Sequence, residues 1–121
     1  MIVKVIYPSH GSPEKTSRIE FDVELIAEEE YLALDDAYRL VNRVTKEDTL
    51  RMKDYAKQIG VKSIRSAMVG DIFCVNENYY ICDSAGWQKI EKDAVENWCN
   101  ISVTDRLMGV KWCMEKILNK I

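Results

Sequence analysis

The side chains with the widest chemical repertoire are few in this chain. His10 is the sole histidine, flanked by Pro8, Gly11 and Pro13 in a stretch with no periodicity to hold an imidazole in catalytic geometry. A Cys–His nucleophile pair would need it to reach Cys74, Cys82, Cys99 or Cys113, and all four fall in apolar segments where a thiol stays protonated. Their wide spacing excludes a C-x-x-C zinc pair, so four reduced, buried thiols are expected rather than a metal centre or two disulfides. Asp71 and Asp83 lie on neighbouring predicted strands and would be the pair for acid–base work. Each adjoins turn residues, and strand-end roles suit them better. Gly60, Gly70, Gly86 and Gly109 never cluster, which removes both the phosphate-cradling loop and the dinucleotide fingerprint. No catalytic residue, cofactor or metal is expected.

Charge is the more informative feature. The formal net charge of −3 hides a gradient: residues 1–50 carry 6 bases against 11 acids, and residues 51–121 carry 11 against 9. Between Glu20 and Asp36 there are eight acids and no base. On a strand, Glu20, Asp22 and Glu24 project from one face about 6.8 Å apart. Glu28, Glu29, Glu30, Asp35 and Asp36 would extend that negative surface onto the following helix. Such a surface steers and docks a basic partner; its plainer use is a solvated strand face that resists edge aggregation. Lys53, Lys57, Lys62 and Arg65, with Tyr55 among them, form a weak basic stripe that Asp54 interrupts, so direct nucleic-acid binding is the lesser reading in an acidic chain.

A third chemistry rests on aromatic rings. Tyr79, Tyr80, Trp87, Trp98 and Trp112 could line a nucleotide-like small-ligand pocket between a strand meander and the last helix, although packing into the core is the commoner use of such residues.

These side chains need elements to position them. Val3, Val5 and Tyr7 alternate with Lys4 and Ile6, and Ile19, Phe21, Val23 and Leu25 alternate with Glu20, Asp22 and Glu24. Both read as strands, joined as an N-terminal hairpin by a loop of about ten residues. From Ala27 the period becomes helical: Ala27, Tyr31, Leu34, Tyr38 and Val41 align, broadened by Ala37, Leu40 and Val44. The spacing predicts one helix over 28–44, or a shorter one starting at Asp35. Thr45 and Asp48 form a capping box for a second helix lined by Leu50, Met52, Tyr55, Ala56 and Ile59, which Gly60 ends. Strands at 69–76, 79–83 and 87–90 follow, with turns at Glu77-Asn78 and at Asp83–Gly86. Asp93 and Glu96 are expected to cap a short helix bearing Val95, Trp98 and Cys99. From Ser102 or Thr104, Val103, Leu107, Val110, Met114, Ile117 and Ile121 trace a long C-terminal helix packed on the sheet. Met108 and Trp112 widen its apolar face or make a homodimer patch.

The fold class expected is therefore α+β: an N-terminal β-hairpin, two helices, a three-stranded antiparallel meander and the long helix, in a single domain over 1–121. With 47% apolar and 31% charged residues, the composition is that of a globular chain, not a disordered one. A chain of this length buries roughly two thirds of its unfolded surface. No apolar run approaches the ~20 residues of a membrane span, and residues 1–7 lack the basic start and small-residue cleavage site of a secretory signal. A cytoplasmic location and no membrane partner are expected.

The segment Ile64-Arg-Ser-Ala-Met-Val-Gly-Asp-Ile72 followed by Tyr79-Tyr-Ile-Cys-Asp-Ser-Ala-Gly-Trp-Gln-Lys-Ile90 resembles the YodL-like domain family of firmicute chromosomes, phages and conjugative elements. Arg65, Ser66, Val69, Gly70, Asp71, Asp83, Ser84, Gly86 and Trp87 fall at matching places across about residues 35–90, whereas Ala67 and Met68 depart from the usual Leu-Ser. The resemblance implies no catalytic residue and a mobile-element setting. Together with the acidic stretch it leads to the expectation of a non-enzymatic phage or mobile-element protein. Such a protein would bind, and in the sharper form inhibit, a basic host protein such as a defence nuclease.

Overall fold

The computed structural model describes residues 1–8, 18–101 and 109. Five strands form one antiparallel sheet: β1 (Ile2–Tyr7), β2 (Ile19–Glu24), β3 (Ile72–Val75), β4 (Asn78–Asp83) and β5 (Gly86–Ile90), in the order β2-β1-β3-β4-β5. The hairpin and the meander are thus not separate units. β1 pairs with β2 on one side (Val5 opposite Phe21) and with β3 on the other (Ile6 opposite Ile72). The protein is α+β, with helices α1 (Glu30–Val41), α2 (Lys46–Ile59) and α3 (Val95–Cys99), the last preceded by a 3-10 turn over Lys92–Ala94.

Strand alternation distributes the apolar residues over both faces of the sheet. Val3, Val5, Tyr7, Phe21, Val23, Phe73, Val75 and Tyr80 face α1 and α2. Ile6, Ile72, Ile81 and Ile90 face the other way and are covered by Val95, Trp98, Cys99 and Ile101. Ile6, which alternation alone assigns to a solvated face, is buried by this second layer. Trp98 is its centrepiece: it is fully buried, and its indole N–H donates to the Gly70 carbonyl at 2.8 Å. Full burial leaves no face of Trp98 open for stacking on a ligand.

α1 buries Ala33, Leu34, Ala37, Leu40 and Val41, so four members of the expected stripe are buried, with Ala33 added and Tyr31, Tyr38 and Val44 left out. Tyr31 and Tyr38 stand outside it, exposed, and lean on Tyr80 and Trp87 with ring centroids at 5.6 and 6.3 Å. The helix is shorter than 28–44. It stops at Val41 because Arg43 takes a left-handed φ of 56° and its guanidinium donates to the carbonyls of Val41 and Ile64. α2 follows at once, opened by the reciprocal Thr45–Asp48 capping box and closed by Gly60 at φ 75°. Its buried residues are Met52 and Ala56, while Leu50 faces solvent.

Three local expectations need correction. The β3–β4 turn is Asn76-Glu77, with φ of 51° and 67°, one residue earlier than expected. Positive φ at both central positions matches the right-handed strand twist. β3 begins at Ile72 rather than Val69 because residues 68–71 form a turn, in which the Asp71 N–H donates to the Met68 carbonyl and Gly70 adopts φ 99°. Neither Asp93 nor Glu96 caps the helical segment at 92–99; Glu96 instead accepts two bonds from the Arg18 guanidinium at 2.7 and 2.8 Å. His10, Trp112 and the long helix expected beyond Ile101, with Met108, lie outside the described residues.

Candidate functional site

The eight acids between 20 and 36 do not form one surface. Phe21 and Val23 point into the core shared with α1, so Glu20, Asp22 and Glu24, all exposed, project from the opposite face of the sheet on β2, which is an edge strand among the described residues. The remaining five belong to α1 and its approach, and of these Glu28, Glu29, Asp35 and Asp36 are exposed.

Glu30 is structural. Its Oε2 accepts from the Tyr80 hydroxyl at 2.8 Å, and its Oε1 accepts from the side-chain amides of Asn78 at 2.9 Å and Asn76 at 3.3 Å. The Tyr80 bond, followed by that from Asn78, holds the Glu30 carboxyl below its ordinary range. Burial, reinforced by the same bond to Glu30, pushes the Tyr80 hydroxyl up to about 12. Tyr80 is therefore a fastener between α1 and the β3–β4 turn, not a ligand wall. Tyr79 alternates to the other face and packs against the second core cluster.

Arg65 is no part of a free basic stripe. Its guanidinium makes a fork to both Asp71 oxygens at 2.7 and 2.8 Å and lies 4.1 Å from the Tyr7 ring centroid. Asp71 is only 2% exposed and also accepts from the Met68 N–H. Burial works against the Arg65 charge, and the fork outweighs it, so its pKa lies above the usual value. Burial likewise raises the Tyr7 hydroxyl, and the nearby Asp71 adds to the shift. Asp71 and Asp83 are not an acid–base pair: Asp71 is committed to Arg65, and Asp83 Oδ1 accepts from the Ser84 N–H at 2.7 Å. Cys82 is buried, and desolvation followed by the nearby Asp71 pushes its thiol up to about 12, outside the nucleophilic range at neutral pH. Among the described residues no three His, Cys, Asp or Glu side chains form a group that could hold a metal.

What remains open is the outer side of α1. Seven large apolar side chains stand exposed among the described residues, and five of them, Ile26, Tyr31, Leu32, Tyr38 and Val44, fall between 26 and 44. Ile26 is 99% exposed. Ile26 and Val44 border a groove of about 310 Å³ between the β2–α1 connection, α1 and the start of α2, where Glu24, Asp36, Arg39, Asp48 and Arg51 supply the charge. On the other flank of α1, Asp35 and Tyr38 meet Cys82, Asp83, Ser84, Gly86 and Trp87 around a cavity of about 200 Å³. Asp35 Oδ1 accepts from the Trp87 indole N–H at 3.0 Å. Sequence reasoning singled out Trp87 and Asp35 separately but not this link, since no local pattern joins positions so far apart. The Arg65–Asp71 fork had a usable signal in two opposite charges flanking a glycine turn.

No family model matches the chain, and no curated protein or solved structure matches it either. Among the described residues no helix is long and apolar enough to cross a membrane.

Proposed function

We propose that this protein is a non-enzymatic interaction module that docks a basic protein partner through the outer face of α1. The observation that carries this reading is the coincidence, on one helix and its approach, of exposed Ile26, Tyr31, Leu32 and Tyr38 with exposed Glu28, Glu29, Asp35 and Asp36. Exposed aromatic and aliphatic groups clustered on one face mark an interaction surface. Interspersed carboxylates select a cationic partner and speed its approach. The YodL-like resemblance suggests the setting, a phage or conjugative element whose accessory protein binds a host factor such as a defence nuclease.

The β2 carboxylates take the other role in this reading, protection of an open sheet edge. The small-ligand alternative is weaker because the Tyr80 and Trp98 rings are buried in the core. Direct nucleic-acid binding is weaker still, because Arg65 is paired with Asp71.

The test is capture of a partner from a firmicute lysate by the tagged chain, compared with two variants. A partner retained at low salt, released at high salt, lost with Tyr31→Ala/Leu32→Glu and kept with Glu20→Lys/Asp22→Lys/Glu24→Lys supports α1 docking. Loss in the β2 variant with retention in the α1 variant overturns it.

A further inference from the structure

The cavity beside α1 has the chemistry of a cation receptor. Its walls are the Tyr38 and Trp87 rings, with centroids 6.3 Å apart and planes at 87°. Asp35 and Asp83 supply two carboxylates. Each uses one oxygen internally, Asp35 for the Trp87 indole and Asp83 for the Ser84 N–H. Neither forms an ion pair among the described residues, where the pairs are those of Arg18 and Arg65. The Trp87 ring packs on the buried Phe73 ring, at 4.9 Å between centroids, so the wall is anchored to the core.

We propose that this cavity takes the guanidinium group of an arginine side chain on the basic partner. A planar cation stacks on an aromatic face and donates in a fork to carboxylate oxygens, and about 200 Å³ suits one side-chain head rather than a nucleotide. The inference rests on the docking reading above and deepens it, since the cavity adjoins the same helix face and gives the partner an anchor residue.

The experiment follows the Trp87 indole N–H resonance of the ¹⁵N-labelled full chain, assigned with Trp87→Phe, while acetyl-Gly-Arg-Gly-amide is added. Peptides with citrulline or lysine in place of arginine, and free arginine, are run in parallel. The expected result is a saturable shift with the arginine peptide that weakens roughly tenfold with citrulline and with Asp83→Asn, as loss of a charge-assisted bond requires. Lysine is expected to bind more weakly than arginine. Equal responses to arginine and citrulline, equal responses to arginine and lysine, no saturable shift, or no effect of Asp83→Asn would each overturn the proposal. Tighter binding of free arginine than of the capped peptide would assign the cavity to a free amino acid and overturn partner docking there. Tyr31→Ala/Leu32→Glu leaves this titration unchanged, so the two readings fail separately: partner capture that persists without a Trp87 response sinks only the arginine site.

Discussion

Single side chains here are spent largely on holding the fold, and Glu30 is the clearest case. Its carboxylate ties the first turn of α1 to Tyr80, Asn78 and Asn76, and its folded-state pKa lies below the ordinary 4.5. A group with a depressed folded pKa contributes stability above its unfolded pKa and loses it as pH falls through the folded value. Replacement by glutamine, which keeps the shape and removes the charge, is therefore expected to lower Tm at pH 7. That deficit should shrink as pH drops below about 4.5 and the unfolded wild-type carboxyl takes up its proton. Thermal unfolding by circular dichroism at pH 7, 5, 4 and 3 checks this, and a deficit that grows at low pH would contradict the assignment. Its position within an eight-acid run made Glu30 look like a surface charge, and only the tertiary arrival of the β3–β4 turn reveals its partners.

At the scale of elements, the irregular connection between α2 and β3 depends on one ion pair. Residues 61–71 contain no helix or strand, yet Ile64 is buried and the Arg65–Asp71 fork pins the segment over Tyr7. Asp71→Ala leaves a half-buried guanidinium without its counter-ion and is expected to cost about 3 kcal/mol, at the low end for broken buried pairs because Arg65 is partly solvated. Urea unfolding measures it, and a loss below about 1 kcal/mol would place the fork among surface pairs. Elements with local rules were readable from the residues alone. The Thr45–Asp48 box, the Gly60 stop and the period-2 strands depend on neighbours a few positions apart. The burial of Ile6, the exposure of Tyr31 and Tyr38 on α1 and the Trp87–Asp35 bond were not readable, because each is decided by an element far along the chain. The candidate site fared likewise: its acids were visible as a run, but its division between two faces follows from which side of the sheet α1 crosses.

At the scale of the whole molecule, β2 and β5 are the edge strands of the sheet among the described residues. β2 is an edge strand whose outward residues are Glu20, Asp22 and Glu24, and these charges oppose addition of another strand. Replacing all three with valine is expected to leave the fold intact and convert the edge into a template for pairing. Sedimentation velocity across a concentration series should then show more association than the wild-type chain does. An unchanged sedimentation coefficient would mean that the carboxylates are not what keeps the edge single. The α1 face supplies a contrast, because there acids are mixed with Tyr31, Leu32 and Tyr38, a composition that repels like surfaces yet still offers apolar area to a cationic one.

The strand order also bears on the timing of synthesis. β1 lies inside the sheet, but the strand that completes its second side, β3, follows only after both long helices have been made. While α1 and α2 emerge from the ribosome, the nascent hairpin exposes an unpaired strand edge bearing Val5 and Ile6, which no carboxylate guards. Translation speed across residues 25–75, rather than equilibrium stability, would then set how much of the protein reaches its native state in the cell.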